Sequence, residues 1–240
     1  GFYTVAYQLA VFPITKLNPI ILQVAYPVLA KMKDDNSALK RAYLQILDLV
    51  SYLNLPLLAG LFVMADSVVP LIYGPGWETA IGFIRIFVFP AFFLALIHPL
   101  YTLAFTKGKP SLLFYLNLGT MVIKIPLLYL FAHYFGPIGI AYSFMLTSFI
   151  MLMVNFYIVH SLVGSFFKDF LTNFSKPVLF GLVMAGAVSL YKYIVPGTDL
   201  ITVLLQIGAG GLVYAVLTVL FKVPIVKVKA YLTDLNVIRS

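Results

Sequence analysis

Two lysines stand where a lysine is expensive. Lys16 lies in the middle of the opening apolar run, GFYTVAYQLAVFPITKLNPIILQVAYPVLAKMKDD, and Lys124 lies near the midpoint of a later one. A lysine at the centre of a membrane helix costs roughly 2.5–3.5 kcal/mol on insertion scales, so a polar surrounding or an anionic partner has to offset it. Around each lysine the polar residues gather on one side. At 100° per residue, Thr4, Gln8, Thr15, Lys16, Asn18 and Gln23 fall within about 160° of one another, and Asn117, Thr120 and Lys124 within about 60°. Prolines accompany both groups: Pro13, Pro19 and Pro27 in the first run, Pro126 in the second. Proline leaves backbone groups unpaired, which lipid tolerates only where neighbours or cavity water satisfy them. The spacing predicts two broken, lysine-bearing helices that face a polar cavity. No carboxylate lies at the depth of either lysine. A cationic cavity without its own counter-ion selects an anionic solute. The plainer alternatives are a snorkelling Lys16 and a Lys124 held in a structural ion pair.

Eight further residues complete the set of candidates. Asn18, Gln8, Gln23 and Asn117 share the polar stripes with the lysines and are expected to contact substrate. Arg85 sits about one turn inside the end of its run, where either snorkelling or a substrate contact fits. His98, followed by Pro99, is a satisfied buried histidine or a proton relay. Asp48 and Asp66 lie about two turns from opposite ends of the second run; each either pairs with a cation or carries a coupling proton. There is no Walker A loop, HExxH, GxSxG or clustered His/Asp/Glu with ligand spacing, so neither an enzyme nor a metal or other cofactor is expected. Gly74-Pro75-Gly76-Trp77 reads as a tight turn with an interfacial tryptophan, not a phosphate cradle.

The elements that position these residues follow from composition. The chain is 62% hydrophobic and 10% charged, with a mean hydropathy of +1.02. Soluble domains carry about 25% charged residues, so this is a membrane protein on composition alone. The net charge of +8 is topology information in such a chain, and nucleic acid is not an expected partner. Without cysteine there is no disulfide framework and no thiol chemistry. The chain starts at Gly1 on an uncapped apolar run without a leader, and is read as the C-terminal part of a longer protein.

Apolar runs separated by short punctuated loops predict an all-α bundle of about seven membrane helices. The first ends at Lys31; the others cover about 44–73, 81–105, 112–135, 138–163, 178–194 and 200–221. Placing the N-terminus outside and the C-terminus inside puts twelve of the sixteen Lys and Arg residues in cytoplasmic segments. These are Lys31, Lys33, Lys40, Arg41, Lys107, Lys109, Lys168, Lys176, Lys222, Lys227, Lys229 and Arg239; only Lys192 falls outside, a strong positive-inside bias. The segment 164–176 places Phe166, Phe167, Phe170, Leu171 and Phe174 on one helical face and suits a short interfacial helix. Four parts are expected: a five-helix unit at 1–163, that linker, a helix pair at 177–222, and a basic cytoplasmic tail at 223–240.

Three motifs in order, AVFPITKLNPIILQVAYPVLAKMKDD, NLPLLAGL and VVPLIYGPGW, resemble the second half of bacterial polysaccharide exporters. The nearest likeness is the colanic acid exporter type of Wzx flippase, in the superfamily that also contains the MATE drug exporters. It is strongest over 1–110. The resemblance implies a two-lobed bundle of twelve to fourteen helices around a cavity open alternately to either side, with this chain as most of the second lobe plus two additional helices. It implies a substrate of undecaprenyl-diphosphate-linked oligosaccharide, moved across the bacterial inner membrane with ion or proton coupling for exopolysaccharide, O-antigen or colanic-acid-type biosynthesis. Expected partners are that substrate, membrane lipids, a first lobe of the same protein and the polysaccharide polymerase machinery. A MATE-like exporter of small cations is opposed by the mid-depth lysines, since that cargo favours carboxylates. A membrane-embedded enzyme acting on lipid-linked sugars would need a large outer loop with catalytic residues, and the outer loops are short.

Overall fold

The computed structural model describes residues 1–221; Lys222 and the expected tail at 223–240, with Lys227, Lys229 and Arg239, lie outside the described residues. Seven helices follow one another: α1 Phe2–Lys31, α2 Asn36–Tyr73, α3 Thr79–Thr106, α4 Ser111–Phe135, α5 Pro137–Val163, α6 Phe167–Ile194 and α7 Leu200–Leu220. All seven are long and apolar enough to cross a membrane, and the chain is a multi-pass membrane protein. No strand occurs among the described residues.

The middle of the bundle is α3, which packs against α1, α2 and α5. Small side chains let these helices approach closely, as is usual where lipid gives no hydrophobic drive. Ala6, Ala10 and Ala25 of α1 are buried, as are Ala80, Ala91 and Ala95 of α3. Tyr3 and Tyr7 of α1 meet Phe87 of α3 and Phe144 of α5 edge-on, with ring centroids 5.0–6.1 Å apart. The α6–α7 pair lies against α2. There Gly181 allows the approach, because a Cβ built on it would come within 2.3 Å of Leu55 Cδ2. Helix α4 is the outlier. It pairs with α5, barely touches α3, and buries only Leu113.

Two boundaries differ from the expected ones. Helix α2 starts eight residues earlier than its apolar run, because Asp35 caps it: its Oδ1 accepts from Ser37 N–H at 2.9 Å and Ala38 N–H at 3.0 Å. That first stretch is amphipathic rather than apolar, with Leu39, Ala42 and Tyr43 buried. The second difference is the expected interfacial linker at 164–176, most of which is the first part of a continuous α6. Phe166, Phe170 and Phe174 turn inward, with Phe166 5.9 Å from Tyr43 and Phe170 5.0 Å from Phe156, while Phe167 and Leu171 stay exposed. Inward packing against neighbouring helices takes up three of the five apolar side chains of that face. Nor is α1 broken: it runs unbroken through Pro13, Pro19 and Pro27. Each proline removes one ladder bond without ending a helix whose flanking turns remain paired.

The two ends of the bundle are built differently. At one end Lys107 Nζ donates to the Lys33 carbonyl and to Asn36 Oδ1, both at 2.7 Å, and Lys40 pairs with Asp169 at 2.6 Å. At the other, Trp77 packs against Phe2 and Tyr73, each 5.3 Å away by ring centroid. Gly74 and Gly76 have positive φ there, which only glycine adopts cheaply, and so close the α2–α3 turn. Glu78 Oε1 accepts from Gly76 N–H at 3.1 Å. Its own backbone N–H and that of Gly76 hold this carboxyl below the usual glutamate range.

Candidate substrate sites

Lys16 stands on an open face of α1. Thr4, Gln8, Phe12, Thr15, Lys16, Pro19 and Gln23 are exposed along it, while Ala6, Ala10, Ile14, Asn18, Ala25 and Leu29 form the buried face. This division follows from the sequence: small and aliphatic residues recur at three- and four-residue spacing, leaving the polar set on the far side. Thr15 Oγ1 donates to the Phe12 carbonyl at 3.0 Å, and Lys16 Nζ lies 6.0 Å from the centroid of the Phe12 ring. Among the described residues Lys16 has no ion-pair partner.

Lys124 stands in a groove instead. Because α4 follows α5 and leans away from α3, a cavity of about 200 Å³ opens between α1 and α3 on one side and α4 and α5 on the other. On the α3 side the short residues Pro90 and Ala91 leave it unfilled. Asn117, Thr120 and Lys124 project into it from α4, Tyr7 and Val11 from α1, Tyr101 from α3, and Phe144, Thr147 and Ser148 from α5. Tyr101 O–H donates to Asn117 Oδ1 at 3.2 Å across its mouth. Lys124 Nζ sits 3.7 Å from the centroid of Phe144, a close cation–π contact. Thr147 is 3% exposed, and its Oγ1 has no hydrogen-bond partner.

The other candidates are placed elsewhere. Asn18 leaves the polar stripe: it is fully buried and ties three helices together. Its Nδ2 donates to the Ala95 carbonyl of α3 at 3.0 Å and lies 3.4 Å from His98 Nδ1, while its Oδ1 accepts from Asn54 Nδ2 of α2 at 2.9 Å. With Asn18 donating, His98 Nδ1 is the acceptor and its proton sits on Nε2. Asn18 lies at the edge of the 160° arc, and a modest rotation of α1 turns it inward. Arg85 and Asp66 meet. Arg85 Nη2 is 3.7 Å from Asp66 Oδ2, Lys192 Nζ is 2.5 Å from Asp66 Oδ1, and Lys192 also donates to the Val63 carbonyl at 3.0 Å. These three charges connect α2, α3 and α6. Asp48 accepts from Asn173 Nδ2 of α6 at 3.0 Å. Gln8 and Gln23 remain on the open face with Lys16, and Asn117 lies in the groove with Lys124.

Some residues of these sites were not singled out by the sequence. Tyr7, Tyr101, Phe144 and Thr147 look like ordinary core residues in apolar runs until α3, α4 and α5 are placed together. Asn54 and Asn155 carried a signal, each an amide inside an apolar run. Both are used as locks, Asn155 Nδ2 donating to the Ile97 carbonyl at 3.3 Å.

Fold and sites together describe a multi-helix membrane bundle with polar faces at mid-depth. Comparison with known proteins agrees. Residues 1–82 match the family model described as polysaccharide biosynthesis protein. Over 215 residues, or 89% of the chain, it is 28% identical to an uncharacterized membrane protein in the cps region of Klebsiella pneumoniae, of which this covers 44%. It is 28% identical over 76% of its length to the lipopolysaccharide biosynthesis protein WzxC of Escherichia coli K12, covering 37% of that protein. With the teichuronic acid biosynthesis protein TuaB of Bacillus subtilis it shares 24% identity over 91% of its length, covering 46%. The chain spans less than half the length of each of these relatives. Among solved structures, the lipid II flippase MurJ in an inward closed conformation superimposes with a TM-score of 0.74, over 92% of this chain and 46% of that one, at 19% identity. The resemblance to the polysaccharide exporters stands, and the fold matches about half of that solved chain.

Proposed function

We propose that this chain is the second lobe of a bacterial inner-membrane flippase. The protein would carry an undecaprenyl-diphosphate-linked oligosaccharide repeat unit to the outer leaflet for surface-polysaccharide assembly. The observation that carries this is the open face of α1. Thr4, Gln8, Thr15, Lys16 and Gln23 are exposed along six turns of a membrane helix whose opposite face is sealed. Such a stripe is costly against lipid and is stable against a water-filled cavity. Lys16 at mid-depth is then one of the cations that meet the diphosphate, the others coming from the opposite wall, and binding shifts the balance between inward- and outward-open states. The other wall of that cavity would be a first lobe of the same protein, in keeping with relatives more than twice as long. A transporter accounts for these faces better than an enzyme does, since neither lysine has a carboxylate or histidine among the residues placed beside it.

Lys16→Ala in the full-length protein should lower polymer export about tenfold or more, with the protein still reaching the membrane. Unchanged export would remove Lys16 from the site. The basic end of the bundle, where Lys33, Lys40 and Lys107 converge, supports a cytoplasmic placement of that end and hence an outside N-terminus. In a cysteine-free background, Thr198→Cys should react with an impermeant maleimide on intact cells and Lys109→Cys only after lysis. The reverse pattern would invert the topology.

A further inference from the structure

The two mid-depth lysines do not share a site. Tyr7 and Val11 present α1 to the Lys124 groove, and Lys16, nine residues beyond Tyr7, lies about 180° around the same helix. A single diphosphate held between both lysines is therefore not what this lobe is shaped for. The groove has its own character. At about 200 Å³ it is smaller than the ~300–1,000 Å³ of drug-sized ligand sites and has room for one ring, not a chain of them. Its walls offer the rings of Tyr7, Tyr101 and Phe144. An aromatic face is electron-rich and accepts the C–H face of a saturated ring. Thr147 lines the groove, but its Oγ1 is buried behind the wall and out of a solute's reach. Asn117 spends its oxygen on Tyr101 and keeps its amide protons.

The charge count is one. Lys124 is the single cation of the lining, already seated on Phe144, with no arginine and no helix N-terminus beside it. Diphosphates are characteristically held by arginine forks or helix N-termini, whereas one ammonium matches one carboxylate. We propose that this groove is a monosaccharide subsite selective for a pyranose carrying a single carboxylate, a uronate-type sugar. Lys124 pairs with the carboxylate, Tyr7 and Tyr101 pack on the ring, and the Asn117 amide donates to a hydroxyl. The proposal rests on the lipid-linked oligosaccharide reading above and names the sugar chemistry that reading leaves open.

The test is saturation-transfer NMR on the full-length protein in lipid nanodiscs. The probes are methyl glucuronoside, methyl glucoside and inorganic pyrophosphate. Ring C–H protons of the glucuronoside should receive saturation, with about tenfold weaker apparent affinity for the glucoside. Lys124→Gln should abolish that preference and Lys124→Arg preserve it; Asn117→Leu, which removes the free amide, should weaken binding about threefold. Equal binding of the two sugars, an unaltered preference in Lys124→Gln, or displacement of the glucuronoside by pyrophosphate would each overturn the proposal. If Lys124→Gln fails to fold, Lys124→Arg and Asn117→Leu decide. Transport of a lipid-linked saccharide in proteoliposomes is scored separately. A protein that binds the glucuronoside but moves nothing loses the flippase reading and keeps the subsite; one that transports without the preference does the opposite.

Discussion

Two groups of polar residues lie inside these membrane helices, and they differ in whether the bundle satisfies them. Asn18 bonds Asn54, His98 and the α3 backbone, and Asp66 pairs with both Arg85 and Lys192 across α2, α3 and α6. Lys16 and Lys124 have neither arrangement: one faces outward beside Thr15 and Gln23, the other rests on a ring in a groove. An intramembrane polar residue is a functional candidate by default. The contrast shows that the default holds only after the neighbours have been counted. Satisfied groups fix helix positions, and unsatisfied groups are available to a solute.

The comparison is broken most directly by exchanging the two outcomes. Lys16→Ala combined with Lys124→Ala should abolish polymer export while the melting temperature and membrane level fall only slightly, since Lys16 has no interhelical partner and Lys124 only its contact with Phe144. Asn18→Leu should do the reverse. It removes two interhelical bonds and leaves Asn54 buried without one partner, at a cost of about 1–2 kcal/mol. Thermal unfolding in detergent should shift down, and export per molecule in the membrane should hold. Should Asn18→Leu leave stability intact and stop export, Asn18 would return to the substrate face where its spacing first put it.

A smaller effect is expected at Asp66, whose side chain is about half exposed (48%). Ion pairs this open contribute about 0–1 kcal/mol. Asp66→Asn should therefore lower stability slightly and leave the pH profile of transport in proteoliposomes unchanged. A lost or displaced pH dependence would make Asp66 the coupling carboxylate, and its pairing with Arg85 and Lys192 one stage of a cycle.

Much of this could be read from the chain. Seven spans follow from apolar runs alone, because a membrane helix must satisfy its backbone internally and so leaves a long, continuous signal. The stripe of Thr4, Gln8, Thr15, Lys16 and Gln23 was legible for a related reason: one helix's periodicity decides which residues share a side. What one helix cannot reveal is the rotation of its neighbours. Asn18 needed only to lie at the edge of an arc to be turned toward Asn54, and Thr147 or Tyr101 became groove residues only when α4 leaned away from α3. The start of α6 was obscured by its phenylalanines, which suit a lipid interface and a protein core equally well until Tyr43 and Phe156 are seen beside them.

The smallest expected effect lies at a helix end, and there the sign can be worked through. Asp35 Oδ1 accepts from the first amides of α2, and those bonds, that of Ala38 foremost, hold its carboxyl below the ordinary value of 3.8. A carboxyl lowered on folding stabilises the folded state above its unfolded value and loses that contribution as pH falls through the folded one. The cap should therefore be intact at neutral pH and released only in acid below about 4. Hydrogen exchange at Ala38 and Leu39 reports it: protection at pH 7 that Asp35→Ala removes and Asp35→Asn largely keeps, because a neutral amide oxygen still accepts. Faster exchange there should stay confined to the first turn of α2, since Leu39 and Tyr43 are anchored in the core and Lys107 holds the adjoining loop through Asn36. Exchange that instead spread along α2 to Asn54 would show the cap and the Asn18 lock to be one cooperative unit, and the division between satisfied and available polar groups would then run through the whole lobe at once.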